Sequence, residues 1–227
     1  MPVEVAVIRF PGTNCELDVA EAVETLGARA RVVFHDETSL GSADAVVIAG
    51  GFAHGDYLRP GAIARFSPIM SAVTEFAADG APVVGICNGF QVLTEAHLLP
   101  GALQKNAGLK FHCGPSVLRV ESTNSVLTSG AAVGDELRIT INHFEGNYTC
   151  SAETLAELRS EDRVVVRYVA NPNGSVDDIA GICNDGRNVV GLMPHPERAC
   201  NDLLGSADGK VMLASLLAAA GAVTTPG

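Results

Sequence analysis

Short apolar runs alternate with amphipathic stretches through the first half of the chain. That alternation predicts a mainly parallel sheet wrapped by helices. A first strand is expected over Val3 to Ile8. After the loop Arg9-Phe10-Pro11-Gly12, the segment Thr13-Asn14-Cys15-Glu16 has capping-box spacing and opens a helix to about Leu26, with Gly27 as its stop. Strands follow at Ala30 to Phe34 and Ala43 to Ala49, then a helix over Pro68 to Ala78. The run Val83 to Ile86 is too apolar for anything but a buried strand, and Phe90, Val92, Leu93 and Ala96 behind it are spaced for a helix.

The texture changes after about residue 110. Ser116 to Val120, Leu137 to Ile141, Arg163 to Tyr168 and Asp178 to Ile182 read as strands separated by turn signals, and Asn171-Pro172-Asn173-Gly174-Ser175 reads as a hairpin end. Val189 to Met193 is one more buried strand. A last helix is expected from about Ala207 to Ala220, with Thr224 to Gly227 fraying. No repeat or low-complexity linker interrupts the pattern, so residues 1–227 are expected to form a single α/β domain: one open, mainly parallel sheet flanked by helices.

Composition narrows the partners. With 15 basic against 26 acidic residues the net charge is −11, and the lysines and arginines are scattered, which disfavours nucleic acid. No apolar run approaches the ~20 residues of a membrane span. The start, Met1-Pro2-Val3-Glu4, lacks a basic n-region and reads as a strand rather than a signal peptide, so a cytoplasmic protein is expected. The six cysteines contain no C-x-x-C pair, which disfavours a zinc site or redox dithiol. Reduced thiols are expected, five of them serving only as packing.

The sixth is different. Gly85-Ile86-Cys87-Asn88-Gly89-Phe90-Gln91 places Cys87 at a glycine-flanked junction between buried strand and helix. A sharp turn there lifts a side chain above the sheet edge, as in the nucleophile elbow of G-x-S-x-G enzymes, and the helix N-terminus favours a thiolate. Taken alone the heptapeptide reads equally well as a buried packing cysteine. A second segment, Pro194-His195-Pro196-Glu197-Arg198, also follows a buried strand. Its prolines are expected to hold it extended, so that His195 and Glu197 share one side and the carboxylate orients the imidazole. On its own this segment reads better as a surface turn with incidental polar groups. Jointly, a thiol, a base and an orienting acid lie beyond strand C-terminal ends, where open sheets build their sites. Gly50-Gly51, ending a third apolar run, reads either as an ordinary strand-ending turn or as one that aims a backbone N–H at the elbow, where with the N–H of Asn88 it would form an oxyanion hole.

These motifs together resemble the class I (triad) glutamine amidotransferases, which implies a flavodoxin-like sheet. The resemblance extends along almost the whole chain through Arg9 to Glu16, Gly50-Gly51-Phe52, Gly55 to Arg59, Gly85 to Gln91, Pro172 to Ser175, Ile179 to Ile182 and Met193 to Ala199. Within the family it is nearest to the glutaminase subunits of purine biosynthesis. The chain departs at Ala49, Ala53-His54 and Phe144, where the family usually has proline, Ser-Tyr and glycine; the last change touches local loop geometry. The resemblance implies that Cys87 attacks glutamine, that His195 moves the protons, and that Glu197 orients His195. It also implies that Gln91, Asn142, Phe144 and Glu145 seat the substrate, with no metal or organic cofactor in this subunit. ATP and Mg would be used by a partner, because no phosphate cradle is visible: Gly205 to Val211 misses the G-x-x-x-x-G-K-[ST] spacing. The implied partners are a large synthetase subunit, which converts formylglycinamide ribonucleotide to formylglycinamidine ribonucleotide, and a small accessory subunit. A triad glutaminase serving another synthetase, a cysteine peptidase or stress-response protein with a similar elbow, and a non-catalytic subunit with a vestigial site are the alternatives.

Overall fold

The computed structural model describes residues 2–223, and side chains as far as residue 221. The expected fraying of Thr224 to Gly227 therefore lies outside the described residues. Strands β1 (Glu4–Arg9), β3 (Ala45–Ile48), β4 (Val83–Ile86) and β11 (Val189–Leu192) have buried centres, with no alternation of inside and outside. Continuous burial of this kind requires cover on both faces, the condition under which parallel strands are found. With β2 (Arg29–Phe34) at the edge, they form the parallel half of a nine-stranded sheet in the order β2-β1-β3-β4-β11.

Beyond β11 the sheet turns antiparallel through β10 (Ile179–Cys183), β9 (Val164–Tyr168), β6 (His112–Val120) and β7 (Glu136–His143). Here β6 and β7 alternate buried and exposed positions, as strands with one wet face do. The central sheet is thus mixed, with its parallel portion in the flavodoxin-like order. The Asn171–Ser175 stretch does lie at a hairpin end, between β9 and β10.

Helix α1 (Glu16–Thr25) packs on β1 and β2 and against α5 (Gly209–Val223), while α3 (Asn88–Glu95) packs on β3, β4 and β11; α2 (Ile69–Ala78) precedes β4. One apolar cluster, from Val5 to Ala220, runs through both halves of the sheet.

Three local readings change. The capping box does not form: Cys15 is the N-cap of α1 without a side-chain cap bond, the Thr13 hydroxyl accepts from the Phe10 N–H at 2.9 Å, and Glu16 pairs with Arg9 at 3.2 Å. Helix α4 (Ala152–Ser160) was not expected from periodicity, because Leu158 is its one buried residue; Ser151 caps it by accepting from the Thr154 N–H. A separate two-stranded sheet joins β5 (Ala102–Gln104) and β8 (Asn147–Thr149), too short for any pattern to register.

Candidate active site

Cys87 occupies the turn between β4 and α3 with φ 52° and ψ −105°, a conformation that costs a non-glycine residue of order 1–3 kcal/mol. Two close approaches hold it there. A Cβ on Gly89 would collide with the Ile48 carbonyl oxygen, and one on Gly85 would lie 2.6 Å from the Gly89 backbone, so both positions must be bare for helix and sheet to meet. The Cys87 N–H then donates to the Leu192 carbonyl at 2.8 Å, tying the elbow to the end of β11.

That strand carries the second group. β4 and β11 run side by side with Ile86 opposite Leu192, so the residues that follow them emerge at one rim of the sheet. The His195 N–H donates to the Thr140 carbonyl of β7 at 2.8 Å, which fixes the ring's base. The segment is not extended as its prolines led us to expect. Pro196–Ala199 is a 3₁₀ turn, and this turn brings Glu197 Oε1 to 2.6 Å from His195 Nδ1. Both side chains are essentially sealed from solvent.

Burial pulls the proton affinity of His195 down. Burial is the largest single influence, but the charge of Glu197 and the Cys87 and Cys15 sulfurs beside the ring together outweigh it, and the pKa ends well above the ordinary histidine value. An imidazole that keeps its proton next to Cys87 is the partner a thiolate requires. Its Nε2 is buried and makes no well-formed hydrogen bond of its own. Gly50 makes room for this meeting: a Cβ there would stand 2.9 Å from His195 Cε1, 3.3 Å from Cys15 Sγ and 3.5 Å from Cys87 Cβ.

A cavity of about 190 Å³ opens over these groups. It is lined by Cys87, His195, Gly51, Gln91, Asn142, Phe144 and Glu145, so most of the site residues expected from sequence face one space. Asn88 backs it from behind: its side chain takes the Ala53 N–H at 2.9 Å and donates to Gln91 Oε1 at 2.8 Å. Gln91 donates in turn to the Glu145 carbonyl at 2.6 Å, and the Cys87 thiol faces the Asn142 carbonyl at 3.7 Å. The bridge between Thr13 and Gly51 uses the N–H groups of Asn14 and Phe52, which leaves the Gly51 N–H outside its pairing. Glu197 lies behind His195 and does not line the cavity.

The wall that carries Phe144 and Glu145 is held by buried amides. Asn106 donates to the carbonyls of Lys110 at 2.8 Å and His143 at 3.0 Å, and its Oδ1 accepts from the Gly146 N–H at 3.0 Å. Asn173 and Ser175 both bond the Gly146 carbonyl, and the Ser175 hydroxyl accepts from the Tyr148 N–H. Phe144 is accommodated without loss of this frame; its carbonyl accepts from the Asn106 N–H at 2.9 Å.

Asn14, Cys15, Phe52, Asp56 and His143 also line the cavity, and sequence reasoning did not place them there. Cys15, expected only to pack, accepts from Arg198 Nη2 at 3.3 Å and lies beside His195. Its proximity to the site had one visible trace, its place in the Arg9 to Glu16 block. The donor atoms of Cys15, His195 and Glu197 lie within 4.8 Å of one another, the single such grouping among the described residues; Glu197 is already engaged by His195, and Cys15 by Arg198.

Opening a carboxamide with sulfur is the chemistry this geometry suits, and the class it defines is that of the triad amidotransferases. Sequence comparison is more specific. The profile of the CobB/CobQ-like glutamine amidotransferase domain matches residues 2–210, and the chain belongs to that family. The phosphoribosylformylglycinamidine synthase subunit PurQ of Rubrobacter xylanophilus is 55% identical over 216 residues, covering 95% of this chain and 98% of that relative. The PurQ subunit of Koribacter versatilis is 52% identical over 224 residues, covering 94% and 96%. Among solved structures, PurLQS of Thermotoga maritima superposes with a TM-score of 0.89 at 40% identity, over 96% of this chain and 99% of that one. The glutaminase domain of Trypanosoma brucei CTPS, solved with bound acivicin, shares the fold with a TM-score of 0.63 at 14% identity.

Proposed function

We propose that this chain is the glutaminase subunit of phosphoribosylformylglycinamidine synthase, hydrolysing glutamine to glutamate and ammonia. The observation that carries this reading is a strained thiol and a buried imidazole–carboxylate pair at one rim of the sheet, in a chain more than half identical to PurQ subunits.

The Cys87 sulfur attacks the carboxamide carbon of glutamine, and the carbonyl π pair moves onto oxygen. The N–H groups of Gly51 and Asn88 hold that oxyanion; one such donor is worth about 3 kcal/mol of barrier. As the tetrahedral adduct collapses, the C–N bond breaks and His195 gives the leaving nitrogen the proton that began on the thiol, releasing ammonia. A glutamyl thioester remains. His195 then takes a proton from water, the hydroxide adds to the thioester, and glutamate leaves as the sulfur departs. Glu197 holds the ring in one orientation throughout and balances its positive charge. Gln91, Asn142, Phe144 and Glu145 shape the space for the substrate chain.

No step requires a metal or organic cofactor in this subunit. ATP and Mg belong to the synthetase subunit, which uses the ammonia on formylglycinamide ribonucleotide, and a small accessory subunit completes the complex. The relative solved as PurLQS supports these partners. None of the described helices is long and apolar enough to cross a membrane, and we place the complex in the cytoplasm.

Cys87→Ala tests the reading in the reconstituted complex. Glutamine-dependent synthesis should vanish while synthesis from free ammonia persists, and a glutamine-analogue alkylator should modify Cys87 in the wild type. Glutamine-dependent synthesis by Cys87→Ala, or an adduct confined to another cysteine, would overturn the assignment.

A further inference from the structure

The cavity carries a charge pattern that the hydrolytic steps do not use. Its lining contains two carboxylates, Asp56 and Glu145, and neither lysine nor arginine. Neither acid closes an ion pair with a described residue; the field of Lys105 reaches Glu145 without forming one. Asp56 lies on a backbone run with positive φ at His54, Gly55, Asp56 and Leu58. Strain of this kind persists where surrounding structure over-determines it, commonly at ligand sites. Its Oδ1 accepts from Asn88 Nδ2 at 3.3 Å, and Asn88 is the residue that follows the nucleophile.

A third polar side chain, His143, lines the same space. Asn106 Oδ1 already accepts from the Gly146 N–H, and Asn106 Nδ2 serves two carbonyls, so the orientation of this amide is settled. The His143 Nδ1, 3.1 Å from that oxygen, must therefore be the donor, which leaves Nε2 with a lone pair. That Nε2 is buried and unpartnered, and burial, with the charges of His195 and His112, lowers the His143 pKa to about 4, so the ring is neutral. The cavity that holds the thiol is thus also furnished with two carboxylates and a neutral imidazole, and with no cationic side chain of lysine or arginine.

Glutamine brings the missing cation: beside its α-carboxylate it carries an α-ammonium, a short aliphatic chain away from the carboxamide that the thiol attacks. We propose that Asp56, seconded by Glu145, binds the α-ammonium of the substrate and so sets the preference for an amino-acid amide over a simple carboxamide. The inference rests on the glutaminase reading above. Burial and the neighbouring charge of Glu145 raise the pKa of Asp56 to about 6, the signature of a carboxylate whose counter-charge is not supplied by the protein.

The test compares glutamine with its deamino analogue, 4-carbamoylbutanoate, in the reconstituted complex, for wild type and Asp56→Asn. Asparagine tolerates the left-handed backbone and can still accept from Asn88, so the fold should hold. Wild type should favour glutamine strongly. Asp56→Asn should lower kcat/KM for glutamine roughly 10- to 100-fold, mainly through KM, as expected for one lost charge-assisted hydrogen bond. Turnover of the analogue should change by less than about 3-fold. Glu145→Gln, away from the strained run, should move the same ratio in the same direction by less. Equal losses on both substrates, or an unchanged glutamine KM, would overturn the assignment. Failure of the wild-type complex to hydrolyse glutamine would instead remove the glutaminase reading itself.

Discussion

The two halves of the sheet divide the work. The parallel half ends in Cys87, Gly51 and His195, each placed by the end of a buried strand and by backbone bonds to its neighbour. The antiparallel half supplies the opposite wall, and there position depends on side chains: Asn106, Asn173 and Ser175 hold the 143–148 turn from beneath. Reactive groups are thus fixed by strand register, and the substrate wall by buried amides. Damage to the reactive groups should fall on kcat, and damage to the amide-held wall on KM.

The sharpest way to break this contrast is at the triad. Glu197→Gln removes the largest of the influences that hold a proton on buried His195, so the ring should lose its proton at lower pH and kcat should fall about 10²- to 10⁴-fold. Steady-state kinetics with an NMR titration of the histidine check both; a kcat within a few-fold of wild type would refute the role given to Glu197. In the other half, Asn173→Ala strips a bond from the buried Gly146 carbonyl. Stability should drop by about 1–3 kcal/mol in urea titration, and KM for glutamine should rise about 10-fold with kcat nearly retained. A loss confined to kcat would count against the division.

The smallest effect is a pH dependence at Asp56, whose pKa stands at about 6. Its charge is present above that value and lost as pH falls, so glutamine KM should roughly double between pH 7 and pH 6. Stability responds in the opposite sense: a carboxyl whose folded pKa is raised contributes less as pH climbs from about 4 to about 6. A glutamine KM that does not change across this range would show that Asp56 is remote from the bound cation.

The same division governs what the sequence makes legible. In the parallel half, Val83 to Ile86 and Val189 to Leu192 announce themselves because a strand covered on both faces must be apolar throughout. The residues behind them, Cys87 and His195, are therefore easy to place. Local geometry is harder. Thr13 and Glu16 have the spacing of a capping box, yet each finds a tertiary partner instead, and Pro196 opens a 3₁₀ turn where an extended segment was expected. In the other half the informative residues are silent. A buried asparagine such as Asn106 or Asn173 is written with the same letter as one in solvent, and only the folded chain shows which carbonyls it serves. Cys15 is silent for the same reason, since its neighbour Arg198 lies 183 positions away.

The backbone at Cys87 is bent into a shape that glycine would adopt without strain. A descendant that no longer needed the thiol could exchange it for glycine and fold more readily than its parent. The reactive sulfur is therefore kept against the chain's own conformational preference, and a lineage released from selection for hydrolysis would be expected to lose this residue early.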